Sequence, residues 1–220
     1  MDFSPETMAG WLPYLLGGLW ISLKVTAGCI AFGLPLGLVL ALAVSSRSRP
    51  LRLVSLALVE IGRGTPGLIM LEFVYYGLPQ IGLTLGTCVA AIAALSWTTG
   101  AYTSEIIRAG LEAVPFGQRQ AAIAIGLNPL DRLRFVILPQ ALRIAVPALL
   151  GFAILIFQGT SLCYAISTPE LISRAYEIGA NTFQYFPVLV LAGMLYAAIS
   201  IPGSLIVGAI ERRMGRHAMR

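Results

Sequence analysis

Histidine and lysine occur once each in these 220 residues, as His217 and Lys24. One histidine in the C-terminal tail leaves almost no material for imidazole metal ligation or acid–base relays. The lysine follows Leu23 rather than a glycine, so a phosphate-cradling GxxxxGK[ST] loop is absent. Were ATP to drive this protein, another chain would have to bind it. The three cysteines, Cys29, Cys88 and Cys163, lie far apart in apolar runs with no CxxC pair, which gives neither a disulfide framework nor a zinc site. Charged residues make up only 11% of the chain, against roughly a quarter in soluble domains. No Ser/His, paired-Asp or metal-ligand constellation appears, so no catalytic residue, cofactor or metal is expected. The opening MDFSPETMAGW has no basic n-region and no small-residue cleavage site, so a cleaved signal peptide is not expected either.

What is abundant is apolar surface: 57% of residues are apolar and the mean hydropathy is +0.83. A bundle of 23.4 kDa has too little interior to hide that surface from water, so the surplus must face lipid. The fold class this predicts is an all-α integral membrane protein. Net charge is +5, but the basic residues sit at the ends of hydrophobic segments rather than along one polar face. That placement argues against a nucleic-acid partner.

A hydrocarbon core of ~30 Å takes ~20 helical residues. Five runs of that kind are found, within residues 11–44, 53–78, 85–107, 144–166 and 186–210, and they predict five transmembrane helices. The Gly33-Leu34-Pro35-Leu36-Gly37 stretch predicts a bend in the first. The connections are sharply asymmetric. Arg47, Arg49 and Arg52, then Arg108, Arg119, Arg132, Arg134 and Arg143, then Arg212, Arg213, Arg216 and Arg220 all fall on one side. The other side holds Asp2, Glu6, an uncharged turn at residues 79–82, and Glu170, Arg174 and Glu177. The positive-inside bias therefore puts the N-terminus outside and the C-terminus in the cytoplasm. No internal repeat or two-half symmetry is visible. Five helices rarely enclose a polar path, so a path would need a second copy or a related chain.

The longest polar stretch joins the third and fourth runs. Pro115 and Gly117 predict a turn, residues 118–125 a short helix, and Gly126 a left-handed stop. Asn128 then predicts a cap for a second short helix, with Pro129 at its first position and Asp131 at its third. Leu130, Leu133 and Ile137 share a face, and Pro139 leads into the fourth run. Each helix is about two turns, too short to be stable alone in water. Either another protein packs on them, with Ala121 and Ala122 allowing close approach, or the loop lies on lipid headgroups.

The pattern Gln120-Ala121-Ala122, three residues, Gly126, nine residues, Val136-Ile137-Leu138-Pro139 resembles the EAA loop of ABC importer permeases. That loop reads E-A-A, x3, G, x9, I-x-L-P; here Gln120 and Val136 depart from it. Arg63-Gly64-Thr65-Pro66, Tyr75-Tyr76-Gly77-Leu78-Pro79, Ala101-Tyr102 with Glu105 and Arg108, Leu138-Pro139-Gln140-Ala141-Leu142-Arg143, Thr160-Ser161-Leu162, Pro169-Glu170-Leu171 and Glu211-Arg212-Arg213 resemble the polar amino acid permease group of the histidine/glutamine type. The resemblance implies a multi-pass permease of the bacterial inner membrane. Residues 1–220 would form a single transmembrane domain, with a cytoplasmic coupling loop at about 112–139. It implies ATP-binding subunits that dock on Gly117, Gln120, Ala121, Ala122, Gly126, Asp131 and Pro139. It also implies a second permease subunit, the same or different, and an extracytoplasmic solute-binding protein. Gln120 lacks the charge of the usual Glu, and with it any salt bridge that Glu would make.

Within the apolar runs, Glu60/Arg63 and Glu105/Arg108 are i,i+3 neighbours that can pair near the cytoplasmic end. Lys24 is expected to snorkel. Glu72 has no Lys or Arg at i±3 or i±4, so it either faces a central path or pairs with another helix. Gln158, Thr160 and Ser161 lie ~22 Å along the fourth run from Arg143, a depth that suits an occluded solute as well as close small-residue packing. Related permeases read Lys-Asp-Thr-Ser-Leu there. This chain has lost both charges, which suggests pairing with a different permease chain that keeps them. The function expected is import of a polar amino acid or related small zwitterion. An ion-coupled secondary transporter subunit and a non-translocating assembly subunit are the alternatives.

Overall fold

The computed structural model describes residues 4–218 and, among these, the side chains of residue 4 and residues 6–214. Asp2 and Arg220, which enter the orientation count, lie outside the described residues, as do the side chains of Arg216 and His217. Every regular element among the described residues is helical. In chain order they are α1 (Pro5–Val44), α2 (Arg49–Gly64), α3 (Gly67–Glu72), α4 (Thr87–Glu112), α5 (Phe116–Ala124), α6 (Pro129–Asp131), α7 (Leu138–Gly159), α8 (Leu171–Thr182) and α9 (Tyr185–Ala218).

Glu6–Val44, Pro129–Ile166 and Tyr185–Met214 are long and apolar enough to cross a bilayer. Arg49–Gly64 with Gly67–Ile81 forms a fourth crossing if the pair, bent by 106°, is one span. The bend falls between Gly64 and Gly67, where Pro66 cannot continue the α2 hydrogen-bond ladder. Thr65 is extended (φ −88°, ψ 128°), as the residue before a proline prefers, and Pro66 caps α3. The predicted third run becomes α4, whose hydropathy is diluted by hydroxyl residues. These are buried and self-satisfied: Thr99 donates to the Leu95 carbonyl, Thr103 to Thr99 and Ser104 to Ala101, each at 2.7 Å. A helix can carry such groups through a bilayer when its neighbours shield them.

α1 covers these groups on α4. It runs parallel to α4 through residues 28–37, and a Cβ built on Gly33 would stand 2.5 Å from Thr99 Cβ; one on Gly37 would run into the Thr103 side chain. The Gly33–Gly37 stretch stays within one continuous helix, so these glycines serve close helix approach, with Pro35 included in the run. Three clusters form the core. One joins the start of α1 to α8 and α9 (Leu15, Leu171, Ala175, Val188). The second joins α1, α3 and α4 (Cys29, Leu71, Ala94). The third joins the ends of α1 and α4 to the start of α7 (Ala41, Ile107, Ala141).

Two features differ from the sequence expectation. The second loop helix is not a separate element: α6 continues as a π-turn (Arg132–Ile137) into α7, through Pro139. The widened turn accommodates the missing proline N–H, and Gln140 Nε2 caps the Val136 carbonyl at 2.8 Å. Residues 167–184 also contain α8, with Leu171, Ala175, Ile178 and Gly179 buried along one face.

Candidate functional site

In the predicted coupling loop, Gly126 adopts φ +79°, the left-handed stop its position predicts, and its N–H and that of Leu127 close the end of α5. Asn128 Oδ1 accepts from the Asp131 N–H (2.9 Å) and its Nδ2 donates to Asp131 Oδ2 (2.6 Å), which starts the next helix. Ala122 is buried, while Gly117, Gln120 and Ala121 are exposed and Pro139 is exposed at the start of α7. Asp131 is half-buried. Arg119 donates to the Leu111 carbonyl at 2.5 Å, which ties α5 to the end of α4. Of the three residues expected to share a face, Ile137 is buried and Leu133 half-buried, but Leu130 is 70% exposed. Phe116, Ile123, Ile125 and Phe135 are also exposed around this element. These side chains form an apolar patch at the surface of two short helical turns.

A charge network links the end of α4 to the end of α2. Glu105 accepts from Arg108 at 2.6 Å and pairs with Arg63 at 3.7 Å, Arg63 also faces Glu60 at 3.8 Å, and Arg108 reaches Glu112 at 2.5 Å. The two i,i+3 pairs match the sequence expectation; the bridge from α2 to α4 is added by the fold. Tyr102 Oη donates to the Arg63 carbonyl at 3.3 Å, next to the break.

The polar residues of the fourth run divide between two surroundings. Gln158 and Ser161 line a cavity of about 460 Å³ between α7 and α9, together with Ile172, Tyr196 and Ser200. Thr160 is buried and points elsewhere: it donates to the Phe157 carbonyl (2.7 Å) and lies 3.4 Å from Tyr196 Oη. Glu72 is half-buried, has no ion pair or hydrogen bond among the described residues, and does not line this cavity. Among the described residues it therefore does not pair with a neighbouring helix. Lys24 is exposed, its Nζ 5.3 Å from the centre of the Trp20 ring.

Behind the cavity stands a residue that sequence reasoning left in a loop. Glu170 has no solvent exposure and caps α8. It accepts from the N–H groups of Ile172 (2.9 Å) and Ser173 (2.8 Å) and from the hydroxyls of Tyr196 (3.1 Å), Ser173 (3.2 Å) and Ser22 (3.5 Å). Burial pushes its carboxyl above the usual range, and those donors hold it down only in part. It joins α1, α8 and α9 at one point. The signal was available: Glu170 precedes a run with apolar positions at 171, 175 and 178.

A second cavity, of about 940 Å³, opens between the ends of α4 and α9 and the start of α7, lined by Pro115, Gln140, Arg143, Ile144, Glu211 and Met214 among others. Among the described residues no cluster of three His, Cys, Asp or Glu side chains could hold a metal ion.

Comparison with known proteins adds the following. Residues 33–216 match the family described as "Binding-protein-dependent transport system inner membrane component". The chain is 36% identical to the arginine transport system permease protein ArtQ of Bacillus subtilis (strain 168), over 97% of each protein. It is 39% identical to the L-cystine transport system permease protein TcyB of the same organism, over 94% of this chain and 89% of that one. It superposes with TM-score 0.90 and 32% identity on a chain from the crystal structure of an amino acid ABC transporter with histidines, covering 97% of this chain and 100% of that chain.

Proposed function

The chain belongs to the family of binding-protein-dependent transport system inner membrane components, and from that premise we propose that it is the permease subunit through which a polar amino acid, or a related small zwitterion, enters the cell. It is a transport subunit rather than an enzyme, with ATP hydrolysis residing on a separate subunit. Its span count is five, with α4 the shielded crossing, the N-terminus outside and the C-terminus cytoplasmic. The whole chain acts as one permease domain in the bacterial inner membrane. Its partners are two cytoplasmic ATP-binding subunits, a second permease subunit and an extracytoplasmic binding protein.

The observation that carries the coupling is the exposed apolar surface of α5 and its following turn, fixed internally by Gly126 and Asn128 and tied to α4 by Arg119. A rigid projection of this kind transmits displacement instead of absorbing it. Closure of the ATP-binding subunits moves Gly117, Gln120, Ala121, Ala122 and Gly126 with the turn that carries Asp131. Because Pro139 lies within a continuous helix, that motion passes directly into α7. The α7–α9 cavity, with Gln158 and Ser161 on its wall, then opens to one side of the membrane at a time. Glu72, half-buried and without an ion pair among the described residues, supplies a carboxylate for a cationic group of the solute or of the second permease. Neutral Gln158 and Gly159 stand where related chains carry charges, which favours a second permease of different sequence. Thr160 supports the wall through Tyr196 rather than facing the solute.

The test is reconstitution with the ATP-binding subunit, the second permease and the binding protein in liposomes, and uptake of a panel of radiolabelled polar L-amino acids. Uptake of at least one that requires ATP supports the proposal. Uptake driven by a proton or sodium gradient without the ATP-binding subunit would overturn it.

A further inference from the structure

The two cavities are not independent. α7 and α9 run antiparallel, and residues of the first cavity (Gln158 on α7 and Ser161 in the 3-10 turn that continues it, Ala197 and Ser200 on α9) recur fourteen positions away in the second, as Ile144 and Pro147 on α7 and Glu211 and Met214 on α9. Fourteen residues are close to four whole helical turns, so on each helix both sets occupy nearly the same face, ~21 Å apart. The two cavities therefore lie along one α7–α9 seam, one toward each end.

Between the two cavities the helices are in contact. Ile154 lies on the same α7 face, and its side chain rests on the bare backbone of Gly203: a Cβ there would stand 3.3 Å from Ile154 Cδ1 and 3.5 Å from Cγ1. The preceding Pro202 removes the N–H that would bond to the Ala198 carbonyl, so α9 is weakest at this height. A bulky aliphatic side chain seated on a glycine, beside a proline, closes a narrow polar path without a hydrogen bond that must break on opening.

We propose that the two cavities are the outer and inner chambers of one solute groove, and that Ile154 seated on Gly203 is the gate between them. The chambers differ chemically. The outer offers neutral hydrogen-bonding groups, Gln158, Ser161 and Tyr196. The inner presents Arg143 from α7 and both Glu211 and Arg213 from α9, groups of both signs that receive the carboxylate and ammonium of a zwitterion leaving toward the cytoplasm. This rests on the permease reading above, and it places a second solute contact beyond the pocket of Gln158 and Ser161.

The test is chemical access in the assembled complex in inverted membrane vesicles without nucleotide. Ala197→Cys reports on the outer chamber and Ala148→Cys on the inner. Each is exposed to a small membrane-impermeant thiosulfonate from the cytoplasmic face, with labelling read at that position by peptide mass spectrometry. Ala148→Cys should label readily in every background. Ala197→Cys should label slowly with Ile154 present, at least tenfold faster with Ile154→Ala, slowly again with Ile154→Leu, and no faster than the parent with Gly203→Ala. An unchanged Ala197→Cys rate in Ile154→Ala, or failure of Ala148→Cys to label, would overturn the gate. Adding ATP separates the two levels. If Ile154→Ala opens access but nucleotide never alters Ala197→Cys labelling, the gate stands and the ATP-coupled reading fails.

Discussion

Tyr196 of α9 donates a 3.1 Å hydrogen bond to Glu170, a carboxylate with no solvent exposure and no ion-pair partner among the described residues. Tyr196 also lines the cavity of Gln158 and Ser161, so that wall is held by a group that itself fastens α1 and α8. Truncation of Glu170 leaves two amides and up to three hydroxyls short of an acceptor.

Glu170→Ala should therefore cost ~2–4 kcal/mol, the sum of a lost helix cap and stranded buried donors. Tyr196→Phe, which removes one donor, should cost ~1 kcal/mol. Thermal unfolding in detergent measures both.

The same residue gives a pH dependence. The folded carboxyl binds a proton more readily than the unfolded one because burial raises its pKa. Its contribution to stability is thus fully present below the unfolded value of about 4.3 and is lost as pH rises through the raised folded value. The difference in thermal midpoint between the parent protein and Glu170→Gln should shift against the parent as pH rises, starting from about pH 4. A pH-independent difference would contradict this.

Gly33→Ala tests the α1–α4 seam. Its methyl group would sit 2.5 Å from Thr99 Cβ, and such overpacking costs ~1–3 kcal/mol. Gly17→Ala, where the added carbon meets nothing within 4 Å, should change stability by no more than ~0.5 kcal/mol.

The Arg63–Glu105 bridge should be weak. Its side chains are 36% and 24% exposed and 3.7 Å apart, so a double-mutant cycle with Arg63→Gln and Glu105→Gln should return a coupling of ~0.5–1 kcal/mol. A value several times larger would mean that the network is sealed from water.

Local chemistry was legible in the sequence wherever one residue type has one physical use. Gly126 took the left-handed conformation, Asn128 capped the next helix, and Thr65-Pro66 separated α2 from α3. What escaped depended on tertiary partners. Glu170 looked like an interfacial charge until α1 and α9 closed over it, and α8 looked like a connection because its apolar face is only four residues long. Pro139 looked like a boundary, but the π-turn before it let the helix continue. Among the expected solute residues, Thr160 could not be told from Ser161 by sequence, since adjacent helical residues face different neighbours.

Gly126→Ala should reduce ATP-coupled uptake severalfold while membrane insertion is unchanged, because a left-handed conformation costs a non-glycine residue ~1–2 kcal/mol. Gly126→Asn, which tolerates that conformation, should retain most of the activity. Equal loss in both variants would mean that the position matters through contact rather than backbone geometry.

The central claim is that α5 is gripped by an ATP-binding subunit, and site-directed cross-linking tests it most directly. With Ala121→Cys carrying a short photoactivatable probe in native membranes, one cross-linked species should appear in which this chain is joined to a nucleotide-binding protein, with a yield that changes when ATP is added. If the probe captures only lipid while the α5 segment is intact, this chain is not moved by ATP hydrolysis.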